Sequence, residues 1–257
     1  MHRSLSSIAL ALLVLALLAS TAGPAAADTL KVLTSGAFKQ VVVAMVPSFE
    51  ARTGHKVEVA NDTAGALAKR VAGGEAFDVL VLTPAALQPL AKDGKVLPDS
   101  IAPLAKVGIG VAVKAGAPKP AIGTVEEFRH ALIDVRKIAY IDPASGGTSG
   151  IYLDGLFEKL GIAQVVRPKA VLVSGGLSAE KLVSGEADLA IQQVSELLPV
   201  AGVDLVGMLP PEIQNYTTYA GALGAASTHR AAAAEFLKSL AGEEGRQALR
   251  SKGMLPP

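Results

Sequence analysis

The chain predicts an α/β protein in two lobes, with helices laid over parallel sheets. Three observations carry this. Short apolar runs rich in β-branched residues alternate with amphipathic runs at helical spacing. A long β-branched run at 107–114 breaks that alternation, and the breaker-rich Ala115-Gly116-Ala117-Pro118-Lys119-Pro120 follows it. A second alternating set then begins.

The first 27 residues are read as a secretory signal peptide. They combine the basic start Met1-His2-Arg3, an apolar block at 8–18 and the small-residue site Ala25-Ala26-Ala27. The block is well short of the roughly 20 residues that cross a bilayer, so a soluble exported protein starting near Asp28 is expected. Roughly 230 residues then remain, enough for two lobes with real cores.

The first set pairs strand 30–34 with helix 38–52, strand 57–60 with helix 67–72, and strand 77–83 with helix 85–92. Pro47 should kink or split the first helix, because proline removes a ladder donor and crowds the preceding turn. Gly54 suits that helix's C-terminal cap. The second set gives helix 125–135, strand 137–141, helix 150–160, strand 169–173, helix 177–183 and strand 189–192. Past Leu209-Pro210-Pro211, a strand at 219–225 returns to the first sheet, and a closing helix at 231–240 ends at Gly242. The expected division is lobe 1 at 28–108 plus 215–257 and lobe 2 at 109–214, with hinges near 107–114 and 209–219.

Composition narrows the partners. A net charge of +1 argues against nucleic acid or a strongly basic membrane face. Absence of cysteine leaves stability to packing. Aromatic residues make up 4%, with no Trp, which weakens a sugar-stacking reading. His55, His130 and His229 lack metal-ligand spacing, so neither metal nor cofactor is expected. Ser178-Ala179-Glu180-Lys181 matches Ser-x-x-Lys without its companion motifs.

Four turns follow predicted strands and precede predicted helices: Thr34-Ser35-Gly36-Ala37, Asn61-Asp62-Thr63-Ala64-Gly65, Ser145-Gly146-Gly147-Thr148-Ser149-Gly150 and Ser174-Gly175-Gly176. Backbone N–H groups at helix starts point outward there, and the helix dipole favours negative charge. Taken singly, each turn is most simply an N-cap. Together they suit an anion.

The stretches "LKVLTSGAFKQVV", "FEARTGHKVEV", "AGALAKRVAGGEAFDVLVLT", "IDPASGGTSGIYLDGLFEKLGI" and "LVSGEADLAI" resemble the periplasmic molybdate-binding proteins, of the type 2 periplasmic binding fold. The resemblance spans nearly all of the chain beyond the signal. It implies two α/β lobes joined by two crossings, a ligand in the cleft, a periplasmic location and delivery to an ABC permease. The departures are specific. Ala37 stands where that family places a serine, and Gln193 where it places a tyrosine, while Thr63 and Ser149 keep the other small or hydroxyl positions. An unmade buried hydrogen bond costs roughly 1–3 kcal/mol, so a ligand with more oxygens, such as a di- or tricarboxylate, is favoured over a tetrahedral oxyanion.

The resulting expectation is a monomeric receptor for a small anion. Its ligand residues are Ser35, Gly36, Ala37, Asn61, Thr63, Gly147, Thr148, Ser149, Gln192 and Gln193. Lys39, Arg70 and Arg167 are the nearest cations in sequence. The alternative is aconitate isomerase, which "NDTAGALAKR" and "DPASGGTSGIYLD" resemble. That chemistry needs a proton carrier, for which Lys39, Tyr152 and Glu196 are the candidates.

Overall fold

The computed structural model describes residues 27–257, so the predicted signal segment lies outside the described residues except for Ala27. Its first half is built from β1 (Thr29–Ser35), α1 (Gly36–Thr53), β2 (Lys56–Asp62), α2 (Ala64–Ala72), β3 (Val79–Leu82) and α3 (Pro84–Lys92). β1 is flanked by β2 and β3, both parallel to it. Leu30 and Val32 enter one apolar cluster and Leu33 another, so β1 is buried on both faces.

β4 (Ala102–Lys114) joins the two halves. It pairs antiparallel with β9 (Tyr216–Leu223) from Ala102 to Gly108, and with β7 (Leu189–Gln193) from Ile109 to Ala112. β9 lies antiparallel to β3. Beyond the junction come α4 (Val125–Asp134), β5 (Ile138–Ile141), α5 (Thr148–Lys159), α6 (Ala163–Val166), β6 (Ala170–Val173), α7 (Glu180–Val183), β7, α8 (Val194–Leu197) and β8 (Val203–Met208). β5 lies parallel between β6 and β7. The chain ends in α9 (Arg230–Ala241) and α10 (Glu243–Ser251).

Parallel pairing therefore holds within each three-strand group, and antiparallel β4 and β9 join the groups. Three expectations are corrected. Pro47 does not split α1, which runs unbroken to Thr53. Its missing donor frees the carbonyl of Val43, and both residues face solvent, while buried Met45 and Phe49 hold the helix on either side. Phe49 meets Phe236 of α9 edge-to-face at 4.9 Å between centroids, a pairing worth about 0.5–1.5 kcal/mol beyond its buried area. The closing helix is not the last element, because α10 follows Gly242 directly. The strand read from 107 starts at Ala102, and β8, which pairs with β4, was not foreseen.

Candidate functional site

Register explains why the turns converge. Ser35 and Asp62 are partners in the parallel β1–β2 ladder, so the chain leaves both strands at the same edge. Turns at 35–37 and 61–64 therefore emerge side by side. In the second half, Tyr140 of β5 pairs with Ile191 of β7, which puts the 147–149 turn and Gln193 at one edge too. These edges face each other across a cavity with about 370 Å³ of non-atom space, part of it open to solvent.

Ser35, Gly36, Ala37, Asn61, Thr63, Gly147, Thr148, Ser149 and Gln193 all line the cavity. They hold the first turns of α1, α2 and α5 around it. Ser35 and Gly147, the N-caps of α1 and α5, make no side-chain cap bond. The first N–H groups of those helices are thus left for something in the cavity. The Ser35 hydroxyl is buried and makes no hydrogen bond of good geometry among the described residues, its polar neighbour being the Tyr219 hydroxyl.

Gln192 does not belong to this set. Its Oε1 accepts from Ser178 N at 2.7 Å and its Nε2 donates to Gly176 O at 3.0 Å, so the amide holds the 176–178 loop and reaches the cavity only through its neighbour Glu196. Strand alternation accounts for this, since Gln192 and Gln193 must face opposite sides of β7. Two proton-carrier candidates also fall outside. Lys39 sits one turn into α1, beyond the lining. Tyr152 donates to Ile213 O at 2.7 Å and is not among the lining residues. No Lys or Arg lines the cavity among the described residues. Arg167 pairs with Asp154 and Glu158, and Arg70 with Glu75 and Asp62.

Glu196 does line the cavity, and only 7% of it is exposed. Burial pushes its carboxyl up to about 8, against a small downward pull from the Gln192 amide. Tyr219 of β9 is a lining residue that sequence reasoning missed, since an apolar strand hides it among core aromatics. Its phenol is raised by burial first and by neighbouring Glu196 second, with Thr148 and Ser35 pulling weakly the other way. Gln193 Nε2 donates to Thr148 Oγ1 at 2.7 Å, and that oxygen lies 3.4 Å from the Tyr219 hydroxyl. Asp62 was also missed; its Oδ1 accepts from Thr63 N at 2.8 Å.

The two edges touch. Thr63 Oγ1 donates to Ser145 O at 2.5 Å, and Gly65 N donates to Gly146 O at 3.1 Å. A Cβ on Gly65 would come within 2.8 Å of the Gly146 Cα, so this approach requires glycine.

Residues 30–255 match the family described as bacterial extracellular solute-binding protein. A protein from Pseudomonas sp. named aconitate isomerase is 36% identical over 248 residues, covering 93% of each chain. The structure of the periplasmic molybdate-binding protein of Azotobacter vinelandii superposes with a TM-score of 0.74 at 20% identity, over 89% of this chain and 99% of that one. The sulfate-binding protein of Mycobacterium tuberculosis gives a TM-score of 0.71 at 18% identity, over 89% of this chain and 87% of that one. The fold is thus the two-lobed periplasmic binding fold, α/β with a curled sheet. By the extent of these matches, the chain belongs to the bacterial extracellular solute-binding protein family.

Proposed function

We propose that this chain is an isomerase of an unsaturated tricarboxylate, interconverting cis- and trans-aconitate, with Glu196 moving the proton. The supporting observation is a buried carboxyl on the wall of a cavity whose other donors are neutral hydroxyls, amides and helix N-termini. Similarity along most of both chains to a protein named aconitate isomerase points the same way.

The chemistry is an allylic proton shift. A base takes a proton from the methylene carbon, and the electron pair spreads over three carbons onto the attached carboxylate oxygens. The same proton carrier then returns a proton at the far carbon, so the double bond migrates and nothing is consumed. A carboxyl held near 8 is far more basic than an ordinary one, which suits proton removal from carbon near neutral pH. Below that value the protonated form predominates and does not repel an anion, while the minor ionised fraction is the base. The uncapped starts of α1 and α5 hold carboxylates without a cation.

The same reading takes 28–108 plus 215–257 and 109–214 as the lobes. It places the protein in the periplasm after removal of 1–27, as a monomer. A second reading, a receptor delivering a small anion to an ABC permease, draws on the contact of Thr63 with Ser145 across the cavity, which would enclose a ligand in transit. Incubating the purified protein with trans-aconitate and following cis-aconitate by chromatography separates them. Turnover is expected for the isomerase. Thermal stabilisation by the ligand with no turnover would support the receptor instead.

A further inference from the structure

We propose that Tyr219 is a second catalytic residue, donating a hydrogen bond from its hydroxyl to the substrate oxygen on which negative charge gathers, and that Gln193 and Thr148 turn that hydroxyl toward the cavity. This rests on the isomerase reading above.

Donor inventory fixes the first link of the chain. Gln193 Nε2 can only donate, so Thr148 Oγ1 accepts from it at 2.7 Å. Either hydroxyl can donate across the 3.4 Å between Thr148 Oγ1 and the Tyr219 oxygen; Thr148 is taken as the donor, since its proton has no other partner among the described residues. With one oxygen lone pair so engaged, and with the buried Ser35 hydroxyl placed to donate to the same oxygen, the Tyr219 proton is left for the cavity that Tyr219 lines. Each donor in such a chain polarises the next.

Glu196 and Tyr219 line the same cavity and can therefore take different parts in one step. The C–H electron pair moves into the three-carbon unit and onto a carboxylate oxygen while Glu196 holds the proton. Tyr219 hydrogen-bonds that oxygen and keeps its own proton. Its phenol is held well above the ordinary tyrosine range, chiefly by burial, so it remains a neutral donor throughout. A neutral donor held in place and aimed at developing charge is worth more than one in solution, which must reorient as the charge forms. Gln193 is where the resembling family carries a tyrosine, so the departure in the sequence has a chemical counterpart: one hydroxyl is lost from that turn and another, on β9, is oriented in its place.

The test compares kcat and KM for trans-aconitate in the wild type and in Tyr219→Phe, Gln193→Ala, Thr148→Val and Thr148→Ser, with thermal melts to establish folding. Tyr219→Phe should lower kcat on the order of 10²–10³-fold with KM little changed, as for loss of one oxyanion donor. Gln193→Ala and Thr148→Val should each lose roughly tenfold through misdirection of the donor, and Thr148→Ser should recover most of that loss. The Tyr219→Phe/Gln193→Ala double variant should be no slower than Tyr219→Phe alone, because the residues act as one unit. An active wild type with an undiminished Tyr219→Phe, or strictly additive losses in the double variant, would overturn this inference alone. A folded wild type with no turnover would overturn the isomerase reading and this inference with it.

Discussion

The Glu196 carboxyl rests against the backbone of Gly36: a Cβ on that glycine would stand 2.6 Å from Glu196 Oε1. Gly36 opens α1 and has no positive φ, so alanine fits its backbone. The contact is with the far end of a flexible side chain, which can swing aside. Gly36→Ala is therefore expected to leave stability within about 1 kcal/mol of wild type, while displacing the carboxyl and lowering turnover on the order of 10²-fold. Equal turnover in a folded Gly36→Ala protein would show that the carboxyl's placement does not matter.

The raised carboxyl has a stability signature. Its folded value of about 8 exceeds the ordinary 4.5, so the folded state keeps a proton that the unfolded chain releases. Stability from this group is present below about pH 4.5 and is lost as pH rises through about 8. At about 1.4 kcal/mol per pKa unit, the loss is on the order of several kcal/mol. Glu196→Gln, neutral throughout, should remove that slope. Thermal melts from pH 4.5 to 9 should show it above the wild type at the alkaline end; parallel curves would contradict a buried, raised carboxyl.

Activity should move the other way. The base is the ionised form, so kcat/KM should rise with pH through about 8 and then level off. A rate profile flat between pH 6 and 9 would place proton removal on some other group.

Thr63 does two jobs with one oxygen, accepting from Ala66 N at 3.2 Å as the cap of α2 and donating to Ser145 O across the cavity at 2.5 Å. Thr63→Val loses both. Loss of the cap and the bond should cost roughly 1–2 kcal/mol in urea denaturation, and bound aconitate should dissociate faster. Thr63→Ser should restore both properties. An unchanged dissociation rate in Thr63→Val would show that this contact does not hold the cavity closed.

What was legible in the sequence was the local chemistry of strand ends and helix starts. Ser35, Thr63 and Thr148 each stand between an apolar run and an amphipathic one, so their place at a sheet edge followed from pattern alone. What was not legible depended on tertiary context. Glu196 could be named as a proton-carrier candidate beside Lys39 and Tyr152, but nothing in the sequence set it apart from a surface charge; its burial comes from α8 folding against β4 and β7. Tyr219 sits in an apolar strand where every tyrosine resembles core. Gln192 and Gln193 are adjacent amides of equal chemistry, and only the strand's alternation sends one to the cavity and the other to the loop at 176–178. β8 carries Asp204 and Gly207 among five half-buried residues and ends on exposed Met208, too weak a signal for a strand. α10 opens with Glu243-Glu244-Gly245, so the glycine beside its acidic start reads as an ending.

The central claim is that the Glu196 carboxyl carries the proton between two carbons of a bound tricarboxylate. Proton NMR of trans-aconitate mixed with wild type and, separately, with Glu196→Gln addresses it directly. The expected result is cis-aconitate appearing with the wild type and at least about a thousandfold more slowly with Glu196→Gln, while trans-aconitate still raises the melting temperature of the variant. Equal rates of interconversion by both proteins would contradict it.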